Sequence, residues 1–508
     1  MKRQTLVPVA VLTALALLIV VARLYTYHEP LERDITSAAV IAQELLTGRS
    51  LYADMWDHKP PAIHVTHALS ILLVGLGPGA IYLLNVVAAV ITLLGIYSAA
   101  VTVGGLAGGF WAAAFWVVLS GDAWLQANQP NAEVFINACL AWAFAVLVRS
   151  KGPLATRRVL AVGALFALGS LYKPVAVAPA LLVTAAHVIA PLTGCSRRRF
   201  IADGLVIGGV GAGAWLATCA YFATVGHFAD FYHAVFTYNR FYSTTNSHGG
   251  GILLNIGSSL LPHLLLPSFF LVATPLVLFS LVGFARSFID GPRRQWLLLG
   301  AYCLGTQLAV ALPGQFYPHY YQLWLPPLGI GAGWALGSFD WATRVPRWVP
   351  HGVGAAALVL ILMRQVPLYQ IPPEAWSVLK YGDLFMEEQA LGRELGALLA
   401  PGETFYEWGA ETGLYFESKQ SPPSGAFYIF PLLYGPMSAP LSARVIADLD
   451  RHPPTMFVFN KGMLRSAFAN PILDWARPRY VAMAGTADRP AFLLFVRRGS
   501  RLDVARSR

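Results

Sequence analysis

Eleven apolar runs fill most of the first 366 residues of this 508-residue chain, at approximately 5–22, 80–103, 105–120, 133–148, 159–172, 174–192, 202–224, 264–285, 295–312, 321–338 and 350–366. A helix needs about 20 apolar residues to cross a bilayer. Several runs are shorter than that, but no soluble core could bury so many of them. Composition agrees: 56% of residues are apolar and 12% charged, against about 45–50% and about 25% in a soluble domain. The 46 glycines and 34 prolines follow no repeat, which excludes collagen-like and low-complexity chains. The fold class expected is a polytopic α-helical membrane protein of about eleven transmembrane helices.

The net charge of +10 does not point to nucleic acid. Residues 1–366 hold 33 charged side chains, whereas residues 367–508 hold 29, of which 15 are basic and 14 acidic. The excess therefore lies beside the spans, where Lys and Arg set orientation. With the N-terminus inside, fourteen of the 21 basic residues before 367 fall in inner loops: Lys2, Arg3, Arg149, Lys151, Arg157, Arg158, Arg197 to Arg199, Arg286, Arg293, Arg294, Arg344 and Arg347. Lys2 and Arg3 also suit a signal peptide, but no A-x-A pattern follows the first run, so a retained span is expected. None of the four cysteines lies in the tail, which rules out a disulfide or CxxC framework there.

Two regions lie outside the spans. The tail, 367–508, alternates helical stretches (383–399 and 441–450) with strand-like runs at 404–408, 455–459, 480–484 and 491–496, a pattern that predicts a small α/β domain. It carries no Gly-rich phosphate loop. The first outer loop, 23–79, predicts two amphipathic helices. In Ile35–Thr47, residues Ile35, Ala38, Ala39, Ala42, Leu45 and Leu46 share one face and Thr36, Gln43, Glu44 and Thr47 the other, with Gly48 ending the helix. In Ala62–Val74, Thr66, His67 and Ser70 oppose Val65, Leu69 and Leu72. About 13 residues are too few to span, so this helix is expected to lie in the interface.

The run ERDITSAAVIAQELLTGRSLYADMWDHKPPAIHVTHALS resembles the first extracytoplasmic loop of bacterial GT-C type membrane glycosyltransferases related to protein O-mannosyltransferases and the lipid A aminoarabinose transferase. Asp34 matches the acid that opens the interfacial helix, and Asp54, Trp56, Asp57, His58, Lys59, Pro60 and Pro61 match the loop that follows; Ile35 stands where the family usually has Glu. NQPNAEVF places Glu133 at the second-loop acid, LYKPVAVAPALL supplies Lys173, and PHYYQLWLPPL supplies His319 and Tyr320 near the lipid donor. The matches run in order across residues 23–330.

The resemblance implies transfer of a sugar, with inversion, from a polyprenyl phosphate to a lipid, glycan or protein acceptor at the outer face of the bacterial plasma membrane. It implies Asp34 and Glu133 as catalytic acids, Lys59, Lys173 and Tyr320 at the donor phosphate, and Asp57, His58, His319 and Arg240 in support. No cofactor is required; a divalent ion on His58, His64, His67 and Asp57 is the competing expectation. Each residue also has a plainer reading. Asp34 suits a helix N-cap, Lys59 and Lys173 suit snorkelling cations, Glu133 suits a helix N-terminus, and His319 and Tyr320 suit an interfacial aromatic belt. The segment from Val225 to Leu261, with Arg240 and STTNSHGGG, reads as a mobile cover over the substrate. A transporter or lipid flippase, and a noncatalytic scaffold, are the alternatives. The first would favour matched internal repeats, and none is visible.

The charge pattern makes a direct prediction. A reporter active only in the cytoplasm, fused after Arg508, should be silent, because eleven spans from an inside N-terminus leave the tail outside. Strong reporter activity would contradict the span count.

Overall fold

The computed structural model describes residues 2–192, 194–245, 254–260, 276–281, 285, 293–338, 346, 348–466 and 470–506. Most of the eighth apolar run, most of STTNSHGGG, and Arg286, Arg344 and Arg347 lie outside the described residues. In chain order, the helices used below are α1 (Lys2–Tyr25), α2 (Arg33–Leu46), α3 (Ala62–Val74), α4 (Pro78–Leu119), α5 (Ala132–Val148), α6 (Thr156–Tyr172), α7 (Val177–Ile189) and α8 (Arg197–Thr224). They continue with α9 (Asn239–Thr245), α10 (Arg293–Ala311), α11 (Leu325–Ser338), α12 (Trp348–Gln365), α13 (Leu384–Leu398), α14 (Gly413–Ser418) and α15 (Ser438–Arg451). Four helical stretches among the described residues are long and apolar enough to cross a membrane: 6–25, 78–119, 197–224 and 348–370.

The chain divides into two compact units. One holds Met1–Tyr27, Tyr82–Tyr221 and Ser243–Pro372. Ten of the eleven apolar runs coincide with helix in the described residues, and the eighth is helical at 276–281. The two runs meeting near residue 104 form one continuous α4 broken at Gly105, whose φ of 65° only glycine adopts readily. Glycines also set the closest helix packing in this unit. A Cβ on Gly104 would stand 2.7 Å, and one on Gly108 2.6 Å, from the carbonyl oxygen of Gly333 on α11. Small residues allow such backbone approach where no hydrophobic effect drives helices together.

The second unit holds His28–Ile81, Phe222–Tyr242 and Pro373–Arg508, so the first loop packs in one body with the tail. The tail strands β1 (Phe405–Trp408), β2 (Met456–Asn460), β3 (Tyr480–Ala482) and β4 (Phe492–Arg497) form a sheet of order β1-β2-β4-β3. β1 pairs parallel to β2 with Phe405 opposite Met456, and β4 runs antiparallel to both β2 and β3. The central strand β2 is buried at every position, as expected of a strand covered on both faces.

The two loop helices form where the sequence places them, but their faces are used differently. α2 buries Thr36 and Glu44 along with Ile35, Val40 and Ile41, so its polar side is not solvated. Tail groups satisfy it instead: Thr412 lies 2.8 Å from Thr36 and Ser421 donates to Glu44 at 2.7 Å. In α3 the polar His67 and Ser70 are buried while Val65, Leu69, Leu72 and Leu73 are exposed, the arrangement an interfacial helix requires.

Replacing Gly333 by Leu should drive α11 off α4 and lower the detergent melting temperature clearly, whereas the same change at Gly213, around which there is open space, should leave it nearly unchanged. Equal melting temperatures would show that the glycine contact carries no stability.

Candidate active site

The WDHKPP loop is held by the backbone before any charge is considered. Tyr52 takes a left-handed φ of 69°, and its amide donates to the Met55 carbonyl at 2.7 Å. Its hydroxyl donates to the Lys59 carbonyl at 2.8 Å. Asn239 on α9 donates to the His58 carbonyl at 2.7 Å, and the Trp56 amide donates to the Gly425 carbonyl at 3.1 Å. Gly425 is needed for that approach, since a Cβ there would fall on the Asp54 carbonyl oxygen. Pro60 and Pro61 then lead into α3 with no capping side chain, as prolines can at a helix start.

This loop places a cation between two acids. Lys59 Nζ is 3.1 Å from Asp34 Oδ1 and 3.9 Å from Asp57 Oδ2. Asp57 is 1% exposed. It accepts from the His58 amide at 2.7 Å and from the Tyr428 hydroxyl at 3.4 Å. The ring nitrogens His58 Nδ1 and His64 Nε2 stand 3.3 and 3.2 Å from its two oxygens. Burial alone would raise the Asp57 pKa; the Lys59 ammonium and the adjacent His58 and His64 rings outweigh it and hold the group well below the usual carboxylate range. Burial works against the Lys59 charge, but Asp34 and Asp57 prevail and raise its pKa. Asp34 is the open member of the triad, its side chain 42% exposed against 18% for Lys59.

Two of the plainer readings are corrected here. Glu32, not Asp34, is the N-cap of α2, and it makes no side-chain cap bond; Asp34 sits in the first turn. Lys59 is not a snorkelling cation, because its ammonium is ion-paired. Of the three histidines, His67 directs Nδ1 to the Ile63 carbonyl at 2.9 Å. Among the described residues no group of three or more His, Cys, Asp or Glu is arranged to hold a metal ion. Arg240 lies on α9 and is exposed.

The remaining site residues meet in the other unit. Lys173, where α6 ends, puts its ammonium 2.8 Å from Glu133 Oε1 and 3.5 Å from the centre of the Tyr320 ring. Glu133 is 1% exposed and opens α5. Tyr320 and His319 are buried too, at 5% and 8%, rather than standing in an exposed aromatic belt. His319 Nδ1 is 3.0 Å from Gln126 Oε1, and their edge-to-face contact fixes the Tyr320 ring at 4.8 Å from that of His319. Lys173 is therefore held by a carboxylate and by an aromatic face, a part-exposed cation–π geometry.

Tyr428, Asn239 and Glu32 belong to the first cluster and were not singled out by the sequence. Tyr428 and Asn239 come from segments about 370 and 180 residues away, with no motif around them. Glu32 was visible as an acid two positions before Asp34, and its burial was the missing fact.

No protein-family model and no curated protein matches this chain. Solved structures do. ArnT from Cupriavidus metallidurans bound to undecaprenyl phosphate superposes with a TM-score of 0.62 at 15% identity, covering 97% of this chain and 98% of that one. The oligosaccharyltransferase AglB from Archaeoglobus fulgidus, in complex with an inhibitory peptide and a dolichol-phosphate, gives 0.52 at 12% identity over 97% and 74%. The arabinofuranosyltransferase AftD from Mycobacteria gives 0.51 at 14% over 97% and 40%. The fold of this chain is thus the one found in these three structures, in agreement with the fold expected from the resemblance of its first loop.

Glu32 supplies a pH test. Burial first, and the Asp34 charge second, push its carboxyl from the usual 4.5 up to about 8. The folded chain keeps a proton there that the unfolded chain has released, so stability should fall as pH rises from about 4.5 to about 8 and level off above that. Glu32→Gln should flatten this decline in the thermal midpoint. A variant that declines as steeply as the wild type would show that Glu32 is not the group involved.

Proposed function

We propose that this protein is an integral membrane glycosyltransferase that moves a sugar from a polyprenyl phosphate to an acceptor at the extracytoplasmic face, with inversion at the anomeric carbon. The observation that carries the reading is Lys59 held charged between Asp34 and Asp57. A fixed ammonium is suited to a phosphate and to the negative charge left on it when the sugar departs. An exposed carboxylate within 3.1 Å of that ammonium is suited to accept the acceptor's hydroxyl proton. The fold shared with ArnT, whose structure holds undecaprenyl phosphate, supports the donor class.

In this reading the donor phosphate engages Lys59 and draws it away from Asp34. Asp34 loses its counter-charge and becomes the base. It takes the acceptor proton as the acceptor oxygen attacks the anomeric carbon, and the bond from that carbon to the phosphate oxygen breaks on the opposite side. The electron pair leaves with the polyprenyl phosphate, which needs no proton at neutral pH. Asp57 stays buried and charged, and keeps Lys59 cationic throughout. Lys173 and Tyr320 contribute to donor contact, and Glu133 orients sugar or acceptor. Eleven spans, an inside N-terminus and a tail outside the plasma membrane complete the proposal.

Asp34→Asn keeps the side-chain size and removes the charge from a part-exposed ion pair, a contact worth little to stability. It should fold, bind the charged lipid, and transfer sugar about 10²–10⁴-fold more slowly. Lys59→Ala should weaken donor binding by about 1.5–3 kcal/mol, the scale of a hydrogen bond to a charged group, and Lys59→Arg should retain part of it. Wild-type turnover by a folded Asn variant, with donor in excess, would falsify the base assignment.

A further inference from the structure

Arg33, the residue before Asp34, is engaged by the tail. Its guanidinium lies 3.5 Å from Glu411 Oε1 and 5.6 Å from the centre of the Phe385 ring on α13. Glu411 is 1% exposed and anchored to the sheet: its Oε2 accepts from Asn460 Nδ2, at the end of β2, at 2.5 Å and from the Ala410 amide at 2.9 Å. The next residue grips the same helical turn. Thr412 Oγ1 donates to the Arg33 carbonyl at 2.9 Å and lies 2.8 Å from Thr36 Oγ1. Residues 33 and 36 are thus both tied to the sheet, one on each side of Asp34.

The surroundings are built for this contact. Glu388 and Glu407 are buried near Glu411 at 2% and 1% exposure, and burial pushes both well above the usual carboxylate range. Gly409 and Gly413 leave the room these carboxyls occupy: a Cβ on Gly409 would stand 2.6 Å from Glu411 Oε2, and one on Gly413 2.5 Å from Glu388 Oε1. Arg33 is the cation facing Glu411, so the pair links an immobile acid in the tail to the first turn of α2.

We propose that Glu411 and Thr412 are positioning residues for the transfer reaction, fixing Asp34 in its working position through Arg33 and the first turn of α2. The proposal rests on Asp34 being the base. In this proposal Glu411 and Thr412 act on the chemistry through residues 33 and 36, which flank Asp34 on one turn.

The test uses the full-length protein in detergent with Glu411→Gln, Thr412→Val and Thr412→Ser. Release of polyprenyl phosphate from a sugar-charged polyprenyl phosphate and amide hydrogen exchange over residues 35–38 are both measured. Displacing a reacting group by about 1 Å costs up to about 100-fold. The Gln and Val variants should therefore lose about tenfold to 100-fold in kcat, keep the donor KM within about twofold because Lys59 is untouched, and exchange faster at α2. Thr412→Ser, which restores the hydroxyl, should recover both signals; if Glu411→Gln does not fold, the Thr412 pair decides alone. Wild-type kcat and exchange in the Val variant would overturn the proposal while leaving Asp34 as base. If the wild-type protein itself releases no polyprenyl phosphate, the functional reading falls instead; exchange at 35–38 then decides the clamp, supported by acceleration in Val but not Ser and refuted by its absence.

Discussion

A mostly buried ammonium between two carboxylates is the constraint around which the second unit is arranged. Taking Lys59 and Asp57 out of water costs several kcal/mol per ion unless charge and hydrogen bonds compensate. Part of the WDHKPP loop serves that compensation and part holds the backbone. The His58 amide and the Tyr428 hydroxyl both donate to Asp57 Oδ1, and the Asn239 and Tyr52 side chains fix the adjacent carbonyls of His58 and Lys59. Removing one partner of such a group is more damaging than never having had it, because the other is left buried and unpaired. The triad is also unequal: one cation faces two acids, one of them enclosed and the other open.

That inequality connects structure to reaction. Asp57 is enclosed, whereas Asp34 is 42% exposed, so in the proposed reaction a phosphate approaching Lys59 competes with Asp34 rather than with Asp57. The buried acid keeps the lysine charged, and the exposed acid can exchange its partner. Glu32 adds to this setting. Where the family usually has Glu after the Asp, this chain has Ile35, packed in the core at 1% exposure, and Glu32 is the buried carboxyl that feels the Asp34 charge instead. A neutral Glu32 spares Asp34 a second negative neighbour near neutral pH.

Much of this was legible in the sequence where local rules dominate. α3 occupies 62–74 as its apolar spacing indicates, α2 begins two residues before the predicted Ile35 and ends one residue earlier than predicted, and the four tail strands lie within one or two residues of the alternating runs. The Lys59 assignment followed from a six-residue motif. What the sequence hid was long-range. The polar side of α2 looked solvent-facing because nothing nearby reveals that Thr412 and Ser421 pair with it. Asp34 looked like a cap because acids commonly precede helices, and only the backbone places Glu32 at the cap. Lys173, Glu133 and Tyr320 were named one by one from separate weak motifs, each also readable as a span-end or belt residue, and their meeting is a property of packing between α5, α6 and the turn before α11.

The central claim is that Asp34 and Lys59 act together on opposite ends of one displacement. The measurement closest to that claim is the anomeric configuration of the product formed by the purified protein from a polyprenyl-phosphate sugar of known configuration, followed together with the phosphate released. The account predicts one equivalent of free polyprenyl phosphate per sugar transferred and the opposite anomer in the product. Retention of configuration, which a single in-line displacement cannot give, would contradict it.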